Sequence, residues 1–454
     1  MHGLCVHWRC LTFEYNMSDQ TTSWHSSASK VLDRHHHLLL LDCAVHTAAS
    51  SRPPGVFLLT HELLVQVLAL PGQKDRLTSC ALVSTAWHAA AVAATSKVVL
   101  SARTPDDLDS LLLYLRKYGV HVRKVLISKA PEAAYFSQLQ SLPPSCSQLE
   151  DLNISACNRV DLPSVLSDLT SLTRLDISDS GFTPAAPACL VPLSNMTALQ
   201  HLKCTLQPSR IVAGKGSVPF PAGVLSHLTS LTHLDLGECE VNAATMGGIE
   251  RLTSLRECKL GAPGPGERRF GSMGFWQKLV KREAVAAVSM LQQLSLLSIT
   301  STYDISSRTA PGLSTLTSLK DLSFKHCHRV ETAGLLEPLT ALTRLLLQDM
   351  DLLLPQLLRV LPLLQQLEVL VVYGNHMRIV GVPLNPCYED FAALTASSKL
   401  KKLWFQPRGT PLPPTAFAAL FGGIKQLTAL TDLMFVTNPH DTQGLGTAEL
   451  QVSK

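Results

Sequence analysis

The feature that most constrains this chain is a leucine that returns in near-fixed phase. It stands at Leu149, Leu172, Leu199, Leu231, Leu255, Leu294, Leu319, Leu342, Leu367, Leu400 and Leu430. Most intervals are 23 to 27 residues; four, after Leu199, Leu255, Leu367 and Leu400, are longer. A weaker copy opens at Val122 with VRKVLI. Self-similarity at this period means one small unit stacked many times. A single unit has too little core to stand alone, whereas stacked units share a continuous one.

Residues 319–345, LKDLSFKHCHRVETAGLLEPLTALTRL, show the unit. Leu322 and Phe324 alternate with Ser323, as in a short strand with one buried face. Leu335, Leu336 and Leu339 have helical spacing and are expected to close the unit over the same core. The first part, L-x-x-L-x-L-x-x-C, resembles the leucine-rich repeat. The second, C-x-x-V-x-x-x-G-L, resembles the cysteine-containing subtype common in F-box proteins. The resemblance implies an α/β solenoid, or horseshoe, running to about residue 440. Roughly a dozen strands at 4.7–4.9 Å spacing give a concave sheet on the order of 50 Å long, enough for a protein partner.

Residues 56–97 have helical spacing instead of repeat spacing. Thr60 is a plausible N-cap with Glu62 in the first turn. Leu63, Leu64, Val67 and Leu68 form one apolar face, and Pro71-Gly72 stops that helix. Leu77, Ala81 and Leu82 begin a second face, and Trp87 anchors a third segment. The stretch resembles the F-box, roughly L-P-x-E-L-L-x-x-I-L followed by a Leu-rich helix ending V-C-x-x-W. Leu59, Glu62, Leu63, Leu64, Val67 and Leu68 match its first part; Leu77, Leu82, Val83 and Trp87 match its second. Thr60 replaces the usual proline and Ser84 the usual cysteine. A plain three-helix cap for the solenoid is the alternative. KVVL at 97–100 looks like the strand that joins this domain to the first repeat.

The domain organisation expected is a disordered leader over 1–54, an F-box-like helical domain over 55–97, the solenoid over 98–440 and a tail over 441–454. Insertions fall near 205–226, 261–283, 376–399 and 406–429. Within the second, Trp276, Leu279, Val280, Ala284, Val288 and Leu291 suit one buried helical stripe. The leader is rich in Ser, Thr and His, and its His35, His36 and His37 fit disorder better than a metal site. His2, Cys5, His7 and Cys10 do not have zinc spacing.

Composition narrows the function classes. Net charge is only +4 and charged residues are 16%, so balance alone gives no nucleic-acid or membrane-surface signal. No apolar run approaches the roughly 18 residues of a spanning helix. The 12 cysteines show no CxxC pair. Cys157, Cys239 and Cys327 fall at the repeat's turn and Cys204 and Cys258 at strand core positions, which suits a reducing cytosol or nucleus. The glycines of GAPGPGERRFGSMGF lack a following GK[ST], so they are not read as a phosphate cradle. Arg268, Arg269, Lys278, Lys281 and Arg282 outnumber Glu267 and Glu283 there; a solvated loop and helix face accounts for them, with a site for an acidic partner or phosphate as the alternative. No G-x-S-x-G or H-E-x-x-H constellation occurs. No enzyme activity and no cofactor is expected.

The outward residues of successive strands carry the most informative pattern. They read Asn153, Asp176, Lys203, Asp235, Lys259, Ser298 and Ser323, all polar. The row then turns apolar with Leu346, Val371, Trp404 and Met434, and Tyr373 lies on the same face. An apolar patch with Trp and Tyr on a polar surface has the makings of a binding site. Burial under the tail or the loops at 376–399 and 406–429 is the alternative.

The resemblance implies a substrate-receptor subunit of a cullin-RING ubiquitin ligase. A Skp-type adaptor would bind Leu59, Leu63, Leu64, Val83 and Trp87, and a protein target would bind Leu346, Val371, Tyr373, Trp404 and Met434. The other expectation is a non-enzymatic scaffold of the cytoskeleton or ciliary axoneme, in which the N-terminal helices only cap the solenoid.

Overall fold

The computed structural model describes residues 91–92, 95–102, 105–129, 142–155, 162–178, 188–205, 220–237, 239–261, 280–300, 302, 304–306, 308, 310–327, 329–378, 388–408, 422–435 and 450–453. The chain divides into two units, Met1–Ala94 and Thr95–Lys454. In the first unit only Ala91 and Val92, helical and buried, are described.

Each recurrent leucine closes a tight turn. Its amide donates to the carbonyl three residues back at all eleven positions, as in Leu149 to Cys146 at 2.9 Å and Leu319 to Leu316 at 3.0 Å. Ten of the eleven side chains are fully buried and Leu430 partly so. That burial is worth ~1.5–3 kcal/mol for each leucine.

Strands follow the turns. In chain order they are β1 (Lys97–Ala102), β2 (Lys124–Lys129), β3 (Asp151–Asn153), β4 (Arg174–Asp176), β5 (His201–Lys203), β6 (His233–Leu236), β7 (Glu257–Leu260), β8 (Leu296–Thr300) and β9 (Asp304–Ile305). Then come β10 (Asp321–Lys325), β11 (Arg329–Val330), β12 (Arg344–Gln348), β13 (Asp351–Leu353), β14 (Val369–Arg378), β15 (Lys402–Arg408), β16 (Asp432–Phe435) and β17 (Leu450–Ser453). All 17 belong to one sheet. The main ladder runs β1 to β8, then β10, β12, β14, β15 and β16, every pair parallel. The short strands β9, β11 and β13 form a side ladder that joins the second half of β14. β17 pairs antiparallel with β16 and ends the sheet.

This is the architecture of a leucine-rich repeat solenoid. Leu152, Leu175, Leu202, Leu234, Cys258, Leu297, Leu322, Leu345, Leu370 and Leu403 lie in register across it and are buried. The backbone is stitched on its entry side too. The carbonyl of the residue just before each main-ladder strand from β1 to β15 receives two amides from the next repeat, in an unbroken chain from Ser96 O to Lys401 O. Thr173, Thr232, Thr343 and Thr431 add a hydroxyl to the same acceptor at 3.0–3.1 Å.

The cysteines pack as small apolar groups. The Cys239 thiol donates to Cys204 O at 3.2 Å and the Cys327 thiol to Lys325 O at 3.4 Å, so both sit in the turn after a strand. Burial pushes the thiols of Cys258 and Cys327 up to about 12.

The linking segments differ from expectation. In the repeat unit the linking segments include the α-helices α1 (Pro105–Tyr118), α2 (Leu162–Leu166), α3 (Arg282–Val288) and α4 (Leu354–Val360). Leu335, Leu336 and Leu339 are buried but form turns, not a helix. Gly334 at φ +60° and Pro338 prevent a helical run there. The stripe expected over 276–291 is helical only from Arg282, because Val280 is tied in a parallel bridge to Val241 and the Lys281 amide donates to Val241 O. Ala284, Val288 and Leu291 are buried as expected, Val280 packs from outside the helix, and Trp276 and Leu279 lie outside the described residues. The insertion placed near 376–399 begins later, since β14 continues to Arg378, and 3-10 turns cover Tyr388–Thr395. That placed near 406–429 also begins later, since β15 runs to Arg408.

Candidate functional site

Strand alternation puts every second side chain on the face away from the core, and parallel pairing puts equivalent positions side by side. The row that begins at Asn153 therefore runs Asp176, Lys203, Asp235, Lys259, Ser298, Ser323, Leu346, Val371, Trp404 and Met434 without a break in register. Tyr373 sits two residues beyond Val371, opposite Gln348 and Gln406. The structure thus brings Leu346, Val371, Tyr373, Trp404 and Met434 onto one stretch of four adjacent strands. Leu59, Leu63, Leu64, Val83 and Trp87 lie outside the described residues.

The two ends of the face are built differently. At the N-terminal end the polar residues turn the chain. Asn153 Oδ1 accepts the Ser155 amide at 2.9 Å, Asp176 Oδ1 the Ser178 amide at 3.0 Å and Asp235 Oδ1 the Gly237 amide at 3.2 Å. These are Asx turns that end β3, β4 and β6. Ion pairs join neighbouring strands, Lys124 to Asp151 and Lys203 to Asp176 at 3.7 Å, and His233 Nε2 lies 3.3 Å from Glu257 Oε1. His201 and His233 stack with ring centroids 4.1 Å apart. Burial, helped by His233 and Arg174, pulls the His201 imidazole below its ordinary value. Burial pushes the Asp235 carboxyl up, and Lys259, Lys203 and the Gly237 amide only partly offset it.

At the C-terminal end the row is apolar and Trp404 is held rigidly. Its indole Nε1 donates to Asp432 Oδ1 at 2.8 Å. The Lys402 ammonium lies 2.9 Å from Asp432 Oδ2 and 3.5 Å from the indole centroid, a cation–π contact. Burial pushes the Asp432 carboxyl up, but the indole N–H and Lys402 outweigh it and leave it below an ordinary aspartate. A tryptophan fixed this way has little rotamer freedom left to lose when a partner packs against it. Val371 is only 8% exposed, so it forms the floor of the patch and not a projecting contact. Leu346, Tyr373, Trp404 and Met434 are half-buried around it. Met434 pairs in register with Gln451, so the chain's own β17 borders the patch.

Sequence reasoning picked out the patch residues but missed the Lys402–Asp432 frame around Trp404 and the structural role of the first polar positions. Both have a signal in the repeat register. Lys402 and Asp432 occupy the outward position two residues before Trp404 and Met434, and Asn or Asp two residues before a strand-ending turn is an Asx-turn signal.

Among the described residues no group of three or more His, Cys, Asp or Glu is placed to hold a metal ion, and no helix is long and apolar enough to cross a membrane. A separate open groove between α4 and the turns of 388–395 is lined by Pro355, Leu358, Arg359, Pro362 and Ala392.

No family model matches the chain, and no curated protein matches it. Among solved structures it is similar to an internalin, inlF, of Listeria monocytogenes, at 15% identity over 82% of this chain and 92% of that one, with a TM-score of 0.45. It is similar to a leucine-rich repeat protein of Leptospira interrogans, at 17% identity over 75% of this chain and 84% of that one, with a TM-score of 0.43. It is also similar to TLR13 in a complex with ssRNA13, at 14% identity over 75% of this chain and 43% of that one, with a TM-score of 0.46. At these scores the likenesses add nothing to the architecture described above.

Proposed function

We propose that this protein is a recognition scaffold that seats a protein partner on the open face of its sheet, at the C-terminal end. The observation that carries this reading is the in-register row Leu346–Val371–Trp404–Met434, flanked by Tyr373, with Trp404 locked by Lys402 and Asp432. An aromatic anchor in a partly buried apolar setting, ringed by polar groups, is the make-up of an interface hot spot.

The finer reading is a substrate receptor of a cullin-RING ubiquitin ligase, with a Skp-type adaptor on the F-box-like residues 55–97. Its support is the sequence pattern of Leu59, Leu63, Leu64, Val83 and Trp87 standing directly before the first solenoid strand, β1. In that role the chain carries no chemistry of its own and supplies proximity and orientation. The test is co-purification of the full chain with a Skp-type adaptor, repeated with Leu63→Asp and Trp87→Ala after circular dichroism has shown both variants folded. A complex lost in the variants supports the receptor role. No complex with the folded wild-type chain removes it and leaves a scaffold whose N-terminal helices cap the solenoid.

A further inference from the structure

Between the charged and apolar ends of the open face lies a step of small polar residues. Ser298 and Ser323 are neighbours in the central row, with Lys259 before them and Leu346 after. In the next row Thr300 lies beside Lys325. Ser323 is 7% exposed and Thr300 is fully buried, and neither hydroxyl has a hydrogen-bond partner. Buried hydroxyls are almost always paired, so two neighbours left unpaired ask for an acceptor that the free chain does not supply. Among the described residues neither Lys259 nor Lys325 makes an ion pair, although most cations of this face do. The step therefore gathers two lysines and three hydroxyl side chains on the outward positions of three adjacent strands, β7, β8 and β10.

We infer that this step takes a side-chain carboxylate of the partner, from an aspartate or glutamate that precedes or follows the apolar residue seated at Val371 and Trp404. The inference rests on the open face being the partner site. Charge decides for a carboxylate over a phosphoryl group. Asp235 and Asp321 stand at the edge of the step, and a dianion is repelled more strongly than a monoanion. Arg344, on the adjoining strand β12, is engaged by Asp321 at 3.4 Å and is not free for a bidentate grip on phosphate. Reaching the hydroxyls needs a rotamer change in the long side chains around the step, which lysine makes readily. From β10 to β15 is three strand spacings, ~14 Å, or about four residues of an extended segment. The partner motif is thus an acidic residue about four positions from a large apolar one.

The test is panning a random dodecapeptide phage library against the immobilised full chain, then measuring binding of the enriched peptides by fluorescence anisotropy. Wild type is expected to enrich that acidic–apolar spacing. Lys259→Gln and Lys325→Gln should each weaken the enriched peptide roughly 3- to 10-fold, as for partly buried charge pairs. Ser323→Ala should also weaken it while leaving thermal stability equal or higher, because the variant removes an unpaired buried hydroxyl. An enriched apolar motif that needs Trp404 but no acidic residue overturns the carboxylate site and leaves the partner face standing. Peptides that bind equally to Trp404→Ala, or no enrichment at all, overturn both.

Discussion

At the residue scale the open face mixes groups that build the sheet with groups that are left to meet what lies outside it. Asp235 belongs to the first kind. Its carboxyl caps β6, yet burial raises its pKa above the unfolded value. The folded state therefore binds the proton more tightly than the unfolded one. The ionised form costs stability at neutral pH, and the cost vanishes once both states are protonated, below pH ~3.9. Asp235→Asn keeps an oxygen for the Gly237 amide and removes the charge. It should raise the urea midpoint at pH 7, with the advantage shrinking as the pH falls toward 4. A variant less stable than wild type at pH 7 would show that attraction to Lys203 and Lys259 dominates instead.

At the element scale the strands were legible and the links were not. The eleven leucines gave the phase, and with it the core rows and the register of the outward row, because a turn of fixed hydrogen bonding precedes each main-ladder strand from β3 to β16. Linking segments follow no such rule. Leu335, Leu336 and Leu339 have helical spacing, but any geometry that turns three leucines inward satisfies the same burial, and Gly334 chose turns. The patch was legible as residue types at one repeat position; the frame of Lys402 and Asp432 depends on distances that spacing does not encode. β17 was beyond reach for the same reason, since Leu450–Ser453 lies outside the repeat phase and pairs antiparallel. Removing 450–454 should bare the edge of β16, where Leu433 is now 3% exposed. An unpaired edge invites pairing with another chain. The truncated protein should lose amide protection over 432–435 in hydrogen exchange and shift toward larger species in light scattering. Unchanged protection there would mean that β17 adds no closure.

At the scale of the whole molecule each repeat of the unit Thr95–Lys454 leans on its two neighbours, and stability is close to a sum of local and nearest-neighbour terms. Leu345 is fully buried between Leu322 and Leu370. Leu345→Ala should cost ~2–5 kcal/mol. Hydrogen exchange should show the loss concentrated in β10, β12 and β14 and fading toward β3; an even loss along the sheet would argue for a single all-or-none unit. The thiols give this gradient a native readout. Cys146, Cys189, Cys204, Cys239, Cys258 and Cys327 are all buried and unbridged, and burial suppresses the thiolate that alkylating agents attack. Each one stays silent until its own repeat breathes. Spread from the first repeats to the middle of the stack, they make the chain a ruler of its own opening, with the alkylation rate at each cysteine marking how often that rung comes apart.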